Sequence, residues 1–272
     1  MTPDVSAARL EGTWARHLIA HAVELRSSDP SWGSRWFPLA DGHVVLQGAG
    51  LYVNRALAVG LLGPVARADL DVLEHAATQM GLPAAIDVGP ETDATVVTQL
   101  RGAGYQPSGE TSVMSIDLAT ASAIESGPSV IVRVIEPAEL RTWQQVCCDG
   151  WGHDTQERRR ASDAYATAAY RSPGEQLLLA FDAVDGRPLG CASLVRRDGL
   201  ATLGGMSTVP SERGRGVQRA LVAERLRLVR ASDCDVAATS AVVGGPSERN
   251  LLRLGFQHRY RKSTWVRPLK RA

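Results

Sequence analysis

The sequence predicts an α+β chain made of two copies of one strand-and-helix unit, each a mixed, mostly antiparallel sheet flanked by helices. Three observations carry this. Strand-like and helix-like segments recur in the same order in both halves. The segment Leu100-Arg-Gly-Ala-Gly104-Tyr105-Gln106 lies 151 residues before Leu251-Leu-Arg-Leu-Gly255-Phe256-Gln257, and each closes a helix ahead of a β-rich tail. Between the halves, Ala119 to Ser129 is small and polar, which reads as a linker and sets units of 1–125 and 126–272. At about 150 residues per domain, a chain of 272 residues has room for one or two.

In the first half, Leu10, Trp14, Leu18 and His21 sit at helical spacing, so Leu10 to Leu25 is a helix. Ser27 to Asp41 is rich in Ser, Pro, Gly and Trp and reads as a loop. Within it, Trp32 and Trp36 are placed to pack between the units or to reach over a pocket. His43 to Gln47 and Leu51 to Leu61 read as strands. Ala68 to Met80 is an amphipathic helix ended by Gly81 and Pro83. A strand at Ala84 to Val88, a helix at Thr92 to Arg101 and a strand at Val113 to Leu118 complete the unit.

The second half repeats the pattern. Val130 to Ile135 is strand-like, Pro137 opens a helix to about Asp149, and Asp154 to Tyr170 is a second, Arg- and Ala-rich helix. Strands follow at Gln176 to Val184, Leu189 to Arg196 and Leu200 to Val209, joined by Asp-Gly turns. A helix at Gly216 to Ala231, a strand at Asp235 to Val243, a helix at Ser247 to Leu254 and a strand at Arg259 to Val266 finish the chain.

The apolar fraction of 44% and charged fraction of 22% are those of a globular protein. No apolar run approaches the length of a membrane span. The N-terminus has no charged segment followed by an apolar core, so no signal peptide is expected. Cys147, Cys148, Cys191 and Cys234 have no metal-ligand spacing and make a poor disulfide framework, which fits a reducing, cytoplasmic setting without a metal. Residues 1–125 carry seven bases and 14 acids, whereas 126–272 carry the other 23 bases and 15 acids, a net of +8. The second half should therefore attract anions.

The segment that carries chemistry is Ser207-Thr208-Val209-Pro210-Ser-Glu-Arg213-Gly214-Arg215-Gly216-Val217-Gln218. A strand ends at Val209, Pro210 removes a ladder donor, and a loop with two glycines leads into a helix with a wide apolar face. The first N–H groups of that helix lack intrahelical partners, and its dipole is positive there. With glycines turning further N–H groups inward, this is a cradle for pyrophosphate, to which Arg213 and Arg215 add charge.

Arg213-Gly-Arg-Gly216-Val-Gln218 resembles the Arg/Gln-x-x-Gly-x-Gly/Ala signature of the GNAT superfamily of acyl-CoA N-acyltransferases, with Gln218 where Gly or Ala is usual. Gly245-Pro-Ser247-Glu-Arg249-Asn250 through Gly255-Phe256 resembles that family's later helix. Residues 43–118 look like a degenerate copy without the phosphate loop, so the chain is similar to tandem GNAT proteins with one worn half. The resemblance implies acetyl-CoA as donor and the amine of a small molecule as acceptor, in a monomer or homodimer without a membrane partner. It implies that strand residues 206–209, with Ser207, Thr208 and Val209, pair with the pantetheine arm, and that the N–H of Val209 faces the thioester carbonyl. It also implies that Arg213, Gly214, Arg215, Gly216, Val217 and Gln218 hold the pyrophosphate, with Ser247, Arg249 and Asn250 bordering the cofactor.

Where the family often has a Tyr acid, this chain has Leu251, so Ser247 and Tyr260 are considered as donors to the leaving thiolate. Ser247 also reads as a helix N-cap and Tyr260 as a packed strand aromatic. Glu136, Asp149, His153 and Asp154 are the candidate bases, with His153 in a loop where its pKa suits the role. Two other readings stay open. One is transfer from aminoacyl-tRNA, motivated by the basic cluster Arg253, Arg259, Arg261, Lys262, Arg267, Lys270 and Arg271. The other is an inactive CoA-binding or scaffolding protein.

Overall fold

The computed structural model describes residues 3–269. It resolves into two compact units. The N-terminal unit holds Asp4–Val113, Ala241–Gly245 and the chain from His258 on; the C-terminal unit holds Met114–Ser240 and Pro246–Gln257. The cut expected at 125/126 is therefore not where the compact units divide.

The N-terminal unit contains α1 (Ala7–Ser28), β1 (Arg35–Leu39), β2 (Gly42–Leu46), β3 (Asn54–Leu57), α2 (Arg67–Gln79), β4 (Ala84–Val88) and α3 (Ala94–Gly102). β5 (Gln106–Asp117) starts in it, and the C-terminal strand β11 (Gln257–Arg267) ends in it. β1, β2 and β3 are antiparallel neighbours, β3 and β4 are parallel through Ala56↔Ile86, and β11 runs antiparallel to β4 from Ser263↔Val88 to Arg267↔Ala84. Leu46, Leu70, Leu73, Ile86, Leu100 and Trp265 form one core, while Ala15, Ala22, Val45 and Leu57 form a second with Trp36 packed on it. Trp32 packs on Gly48, so both loop tryptophans have partners inside their own unit. β1 was not expected. Pro38 and two tryptophans within eight residues read as loop, yet an edge strand paired on one side tolerates Pro.

The C-terminal unit contains β6 (Val130–Val134), α4 (Leu140–Trp151), α5 (Gln156–Arg171), β7 (Glu175–Asp182), β8 (Pro188–Arg197), β9 (Leu200–Thr208), α6 (Val217–Arg230), α7 (Pro246–Arg253) and, up to Ser240, β10 (Val236–Val242). β6, β7, β8 and β9 are antiparallel neighbours, and β9 and β10 are parallel. Trp143, Val146 and Cys147 of α4 pack with Leu177, Leu179 and Cys191 on one face. Side chains alternate across a strand, so Gly190 faces the other way, where Val217 and Leu221 of α6 approach it.

The duplicated helix ends have the same geometry. Gly104 and Gly255 take φ of 81° and 92°. Tyr105 N–H returns to the Leu100 carbonyl at 2.9 Å, and Phe256 N–H to the Leu251 carbonyl at 3.1 Å. A left-handed residue after the last turn closes a helix in this way, and glycine adopts it without a Cβ clash.

Candidate functional site

β9 is bulged. Its pairing with β8 runs to Ser193↔Gly204, slips, and resumes at Cys191↔Ser207 and Gly190↔Thr208. β8 thus advances two residues where β9 advances three, and Gly205 takes a φ of 53° within the slip. On its other edge, β9 is in parallel register with β10 at Leu200↔Val236 to Thr202↔Ala238. One step on, the Thr239 hydroxyl donates to the Leu203 carbonyl at 2.8 Å, a side chain acting where a ladder N–H would. β9 then continues to Thr208.

Val209 is a correction. Its N–H donates to the Leu189 carbonyl at 3.0 Å, so it is already used in the sheet and does not face a thioester. In an antiparallel ladder the direction alternates, so Ser207 pairs with Cys191 and the backbone groups of Thr208 point to the opposite edge. The Ser207 side chain turns toward α4, 3.3 Å from Cys191 Sγ and 3.4 Å from the Val146 carbonyl. The space there exists because residue 150 is glycine: a Cβ on it would meet Ser207 Oγ at 2.3 Å.

After β9, Pro210–Glu212 make one tight turn and Gly214 and Gly216 take φ of 82° and 80°. A Cβ on either glycine would meet nothing within 4 Å, so backbone conformation alone calls for glycine here. Gly216 caps α6 without a side-chain bond, which leaves the first N–H groups of the helix for a ligand. Arg213 extends an Nη to the Gly150 carbonyl at 3.2 Å. Arg215 is a second correction. Its guanidinium is paired with Asp182 at 2.6 Å and Glu212 at 2.5 Å, and Arg187 joins the same Glu212. The arginine bonds, that of Arg187 first, hold the Glu212 carboxyl below its usual range. Arg215 thus anchors the loop to β7, and its charge is neutralised.

Gln218 links α6 to α7. Its Nε2 donates to Ser247 Oγ at 3.3 Å, and its Oε1 accepts from Asn250 Nδ2 at 2.7 Å. Arg253 in turn donates to Asn250 Oδ1 at 3.1 Å. α7 starts at Pro246, so Ser247 is inside the first turn and is not the N-cap. Its oxygen accepts from Gln218, which leaves its own hydrogen to donate. Arg249 is exposed on the same helix, and Val217 is buried against Gly190. Beside α6 and α7, a cavity of about 450 Å³ is lined by Ile116, Asp117, residues 120–124, Arg219, Arg253 and Gly255.

Of the candidate bases, Asp149 lies 3.6 Å from Arg159 and Asp154 lies 3.5 Å from Arg158, while the Glu136 N–H is capped by Glu139 at 2.8 Å. His153 is held below its ordinary pKa, first by partial burial and then by Arg158 and Arg159. It is therefore neutral at neutral pH, the form a base needs.

Tyr260 is the third correction. It belongs to the N-terminal unit, where its hydroxyl donates to Glu11 at 2.8 Å, and burial and that carboxylate push its pKa far up. Lys262 beside it bridges Glu11 at 2.7 Å and Asp87 at 3.2 Å. Asp87 also accepts from Thr264 at 2.7 Å and pairs with Arg55 at 3.2 Å. The basic cluster is correspondingly reduced: Lys262 is mostly covered and paired with two acids, Arg267 pairs with Glu74, and Lys270 and Arg271 lie outside the described residues.

In the N-terminal unit, the loop that follows β3 is filled from within. Asp41 accepts from the N–H of Gly60 at 2.6 Å and of Leu62 at 2.5 Å. An internal carboxylate takes the amides that an external anion would need. Asp41→Ala is expected to lower stability by about 1–2 kcal/mol, the scale of charge-assisted bonds at a half-exposed site, as read from a calorimetric Tm.

Sequence reasoning missed the bulge at Gly205 and the buried Arg225 beneath it. The Gly204-Gly205 pair was the available signal for the first. Arg225 gave none, because an arginine on a helix reads as surface.

Residues 138–256 match the family described as Acetyltransferase (GNAT) family. No curated protein matches the chain in sequence. Among solved structures, a GCN5-related N-acetyltransferase from Kribbella flavida is similar at a TM-score of 0.70 and 16% identity, over 97% of this chain and 96% of that one. A tandem GNAT protein from the clavulanic acid biosynthesis pathway is similar at 0.61 and 14%, over 85% and 79%. A GNAT-family protein from Novosphingobium aromaticivorans is similar at 0.54 and 14%, over 97% and 100%.

Proposed function

We propose that this chain, an acyltransferase whose residues 138–256 belong to the GNAT family, moves an acetyl group from acetyl-CoA to the amine of a small molecule. The observation that carries the reading is the succession in one segment of a bulged strand edge, a two-glycine loop and an uncapped helix N-terminus. Each piece suits one part of the donor. The edge of residues 206–208 takes the pantetheine amides as an added strand. The N–H groups of residues 214–218, with Arg213, take the pyrophosphate. The cavity between Arg219 and Arg253 takes the nucleotide end.

The amine nitrogen attacks the thioester carbon, and the Thr208 N–H receives the charge that develops on oxygen. Collapse breaks the C–S bond, the thiolate takes a proton relayed through the Ser247 hydroxyl, which is reprotonated from solvent water in the same step, and the amine gives its proton to His153, directly or through water. The N-terminal half, residues 1–125, is assigned a structural role. The free thiols of Cys147, Cys148, Cys191 and Cys234 fit a reducing cytoplasmic setting. Transfer from aminoacyl-tRNA is disfavoured by the ion pairs of Lys262 and Arg267, which leave the cluster less basic than its sequence.

The test is thermal stability with acetyl-CoA and with CoA. At 100 times its Kd a ligand adds about 2.7 kcal/mol. A shift that disappears in Arg213→Ala/Gly216→Glu supports the reading, and the absence of any shift in well-folded protein overturns it and turns the search to charged tRNA.

A further inference from the structure

Arg225 is 1% exposed, among the largest fully buried side chains of the C-terminal unit. It points from α6 into the sheet. Its Nε donates to the Leu221 carbonyl at 3.0 Å within the helix. One Nη donates to both the Ser193 carbonyl at 3.1 Å and the Gly204 carbonyl at 3.3 Å, and the other lies 3.1 Å from Met206 Sδ. Among the described residues no carboxylate pairs with it. Burial brings its pKa down to about 9, so it remains a cation at neutral pH.

A cation in the interior normally has a counter-charge, because its desolvation is expensive. This one has only carbonyl and thioether acceptors, and they are not scattered. Ser193↔Gly204 is the last pair before the β8–β9 register slips, and Met206 lies inside the slip. One guanidinium therefore ties both strands at the mouth of the bulge, on the α6 side of the sheet. The fork of an arginine suits this, since its donors have a fixed relative geometry.

We propose that Arg225 is a positioning residue for acyl transfer: it clamps the β9 bulge that aims the downstream strand edge at the thioester carbonyl, and its unneutralised charge lies behind that edge, where oxyanion charge develops. This rests on the acetyl-CoA reading above. In a low-dielectric interior a fixed charge acts further than it does in water, and a preorganised one needs no reorientation as the reaction proceeds.

The test reads the bond in question. With [1-¹³C]acetyl-CoA bound, the thioester carbonyl stretch is measured by isotope-edited infrared spectroscopy in wild type, Arg225→Met, Arg225→Gln and Arg225→Lys. Thermal shift with CoA measures cofactor affinity in the same proteins. Wild type is expected to lower the stretch relative to free acetyl-CoA. Arg225→Met and Arg225→Gln are expected to lose more than half of that lowering while still binding CoA, and Arg225→Lys, which keeps the charge, to recover part of it. Once an amine acceptor is in hand, kcat in Arg225→Met is expected to fall on the order of 10²-fold with KM for acetyl-CoA little changed. Arg225→Lys keeps the test in force if the neutral variants do not fold. An unchanged carbonyl stretch in every variant that folds reduces Arg225 to a structural residue and overturns the proposal. Failure of wild type to bind either acetyl-CoA or CoA is a different result, and it overturns the acetyl-CoA reading and this inference together.

Discussion

Replacing Lys262 with Met is expected to destabilise the protein by about 3–5 kcal/mol, the scale for removing one partner of a buried ion pair. Lys262 is enclosed, with its ammonium 2.7 Å from Glu11 and 3.2 Å from Asp87 and 4.9 Å above the ring of Trp14. Met keeps the volume and removes the charge, so the loss reports electrostatics more than packing. Burial alone would push the Asp87 carboxyl up, but Lys262 and then Arg55 outweigh it and hold it low. Burial would likewise push Lys262 down, but Asp87 and then Glu11 outweigh it and hold it high. A lowered carboxyl stabilises above its unfolded pKa and loses that as pH falls through the folded value. A raised amine stabilises below its unfolded pKa and loses that as pH rises through the folded value. The network therefore contributes fully between about pH 4 and pH 10. In Lys262→Met, Asp87 keeps only Arg55 as counter-charge, so its pKa rises and acid unfolding begins at higher pH. Denaturant unfolding across pH measures both effects, and a loss under about 1 kcal/mol at neutral pH would count against a buried pair. Lys262→Met/Asp87→Asn should cost less than the two single changes added together, because the second removes a charge the first has stranded.

The elements were legible wherever local chemistry decides them. Ala84 to Val88 was expected as a short strand and is one. The helix ends at Gly104 and Gly255 follow from the need for a residue at positive φ, which sequence displays directly. The two-glycine loop between β9 and α6 was legible for the same reason. What escaped depends on partners distant in the chain. Nothing near Val209 says that its N–H will be taken by Leu189, and nothing near Tyr260 names Glu11, 249 residues away. The placement of β11 in the N-terminal unit is of this kind too: its alternation predicts a strand, but which sheet it joins is fixed by its pairing with Ala84–Val88. Arg215 was read as a ligand for phosphate because Asp182, one of the two acids that neutralise it, lies on β7, 33 residues away, and nothing in the loop's sequence shows that the neighbouring Glu212 turns to it.

Gly190→Val is expected to damage both fold and ligand binding, through one contact. Gly190 is on β8 opposite Thr208, and an ideal Cβ on it would lie 2.7 Å from the Ser207 carbonyl oxygen and 2.8 Å from Val217 Cγ1. The first obstacle is backbone and cannot rotate away. The second is in the first turn of α6, the turn whose N–H groups are proposed to hold pyrophosphate. Relief therefore comes by moving α6 outward from the strand edge proposed to hold the pantetheine arm. Gly190→Ala should cost about 1–3 kcal/mol, as overpacking does, and Gly190→Val more. The two anchors of a single ligand are then wrongly spaced, so the stabilisation by saturating acetyl-CoA should fall in the same order. Gly186→Ala is the control. Gly186 takes a φ of 72° in the β7–β8 turn, and a Cβ there would touch nothing within 4 Å, so its cost is backbone strain away from α6. It should lower Tm and leave the acetyl-CoA shift at its wild-type size. If Gly190→Ala behaves as Gly186→Ala does, losing stability with the ligand shift intact, then the seating of α6 on β8 does not set the spacing of the donor site.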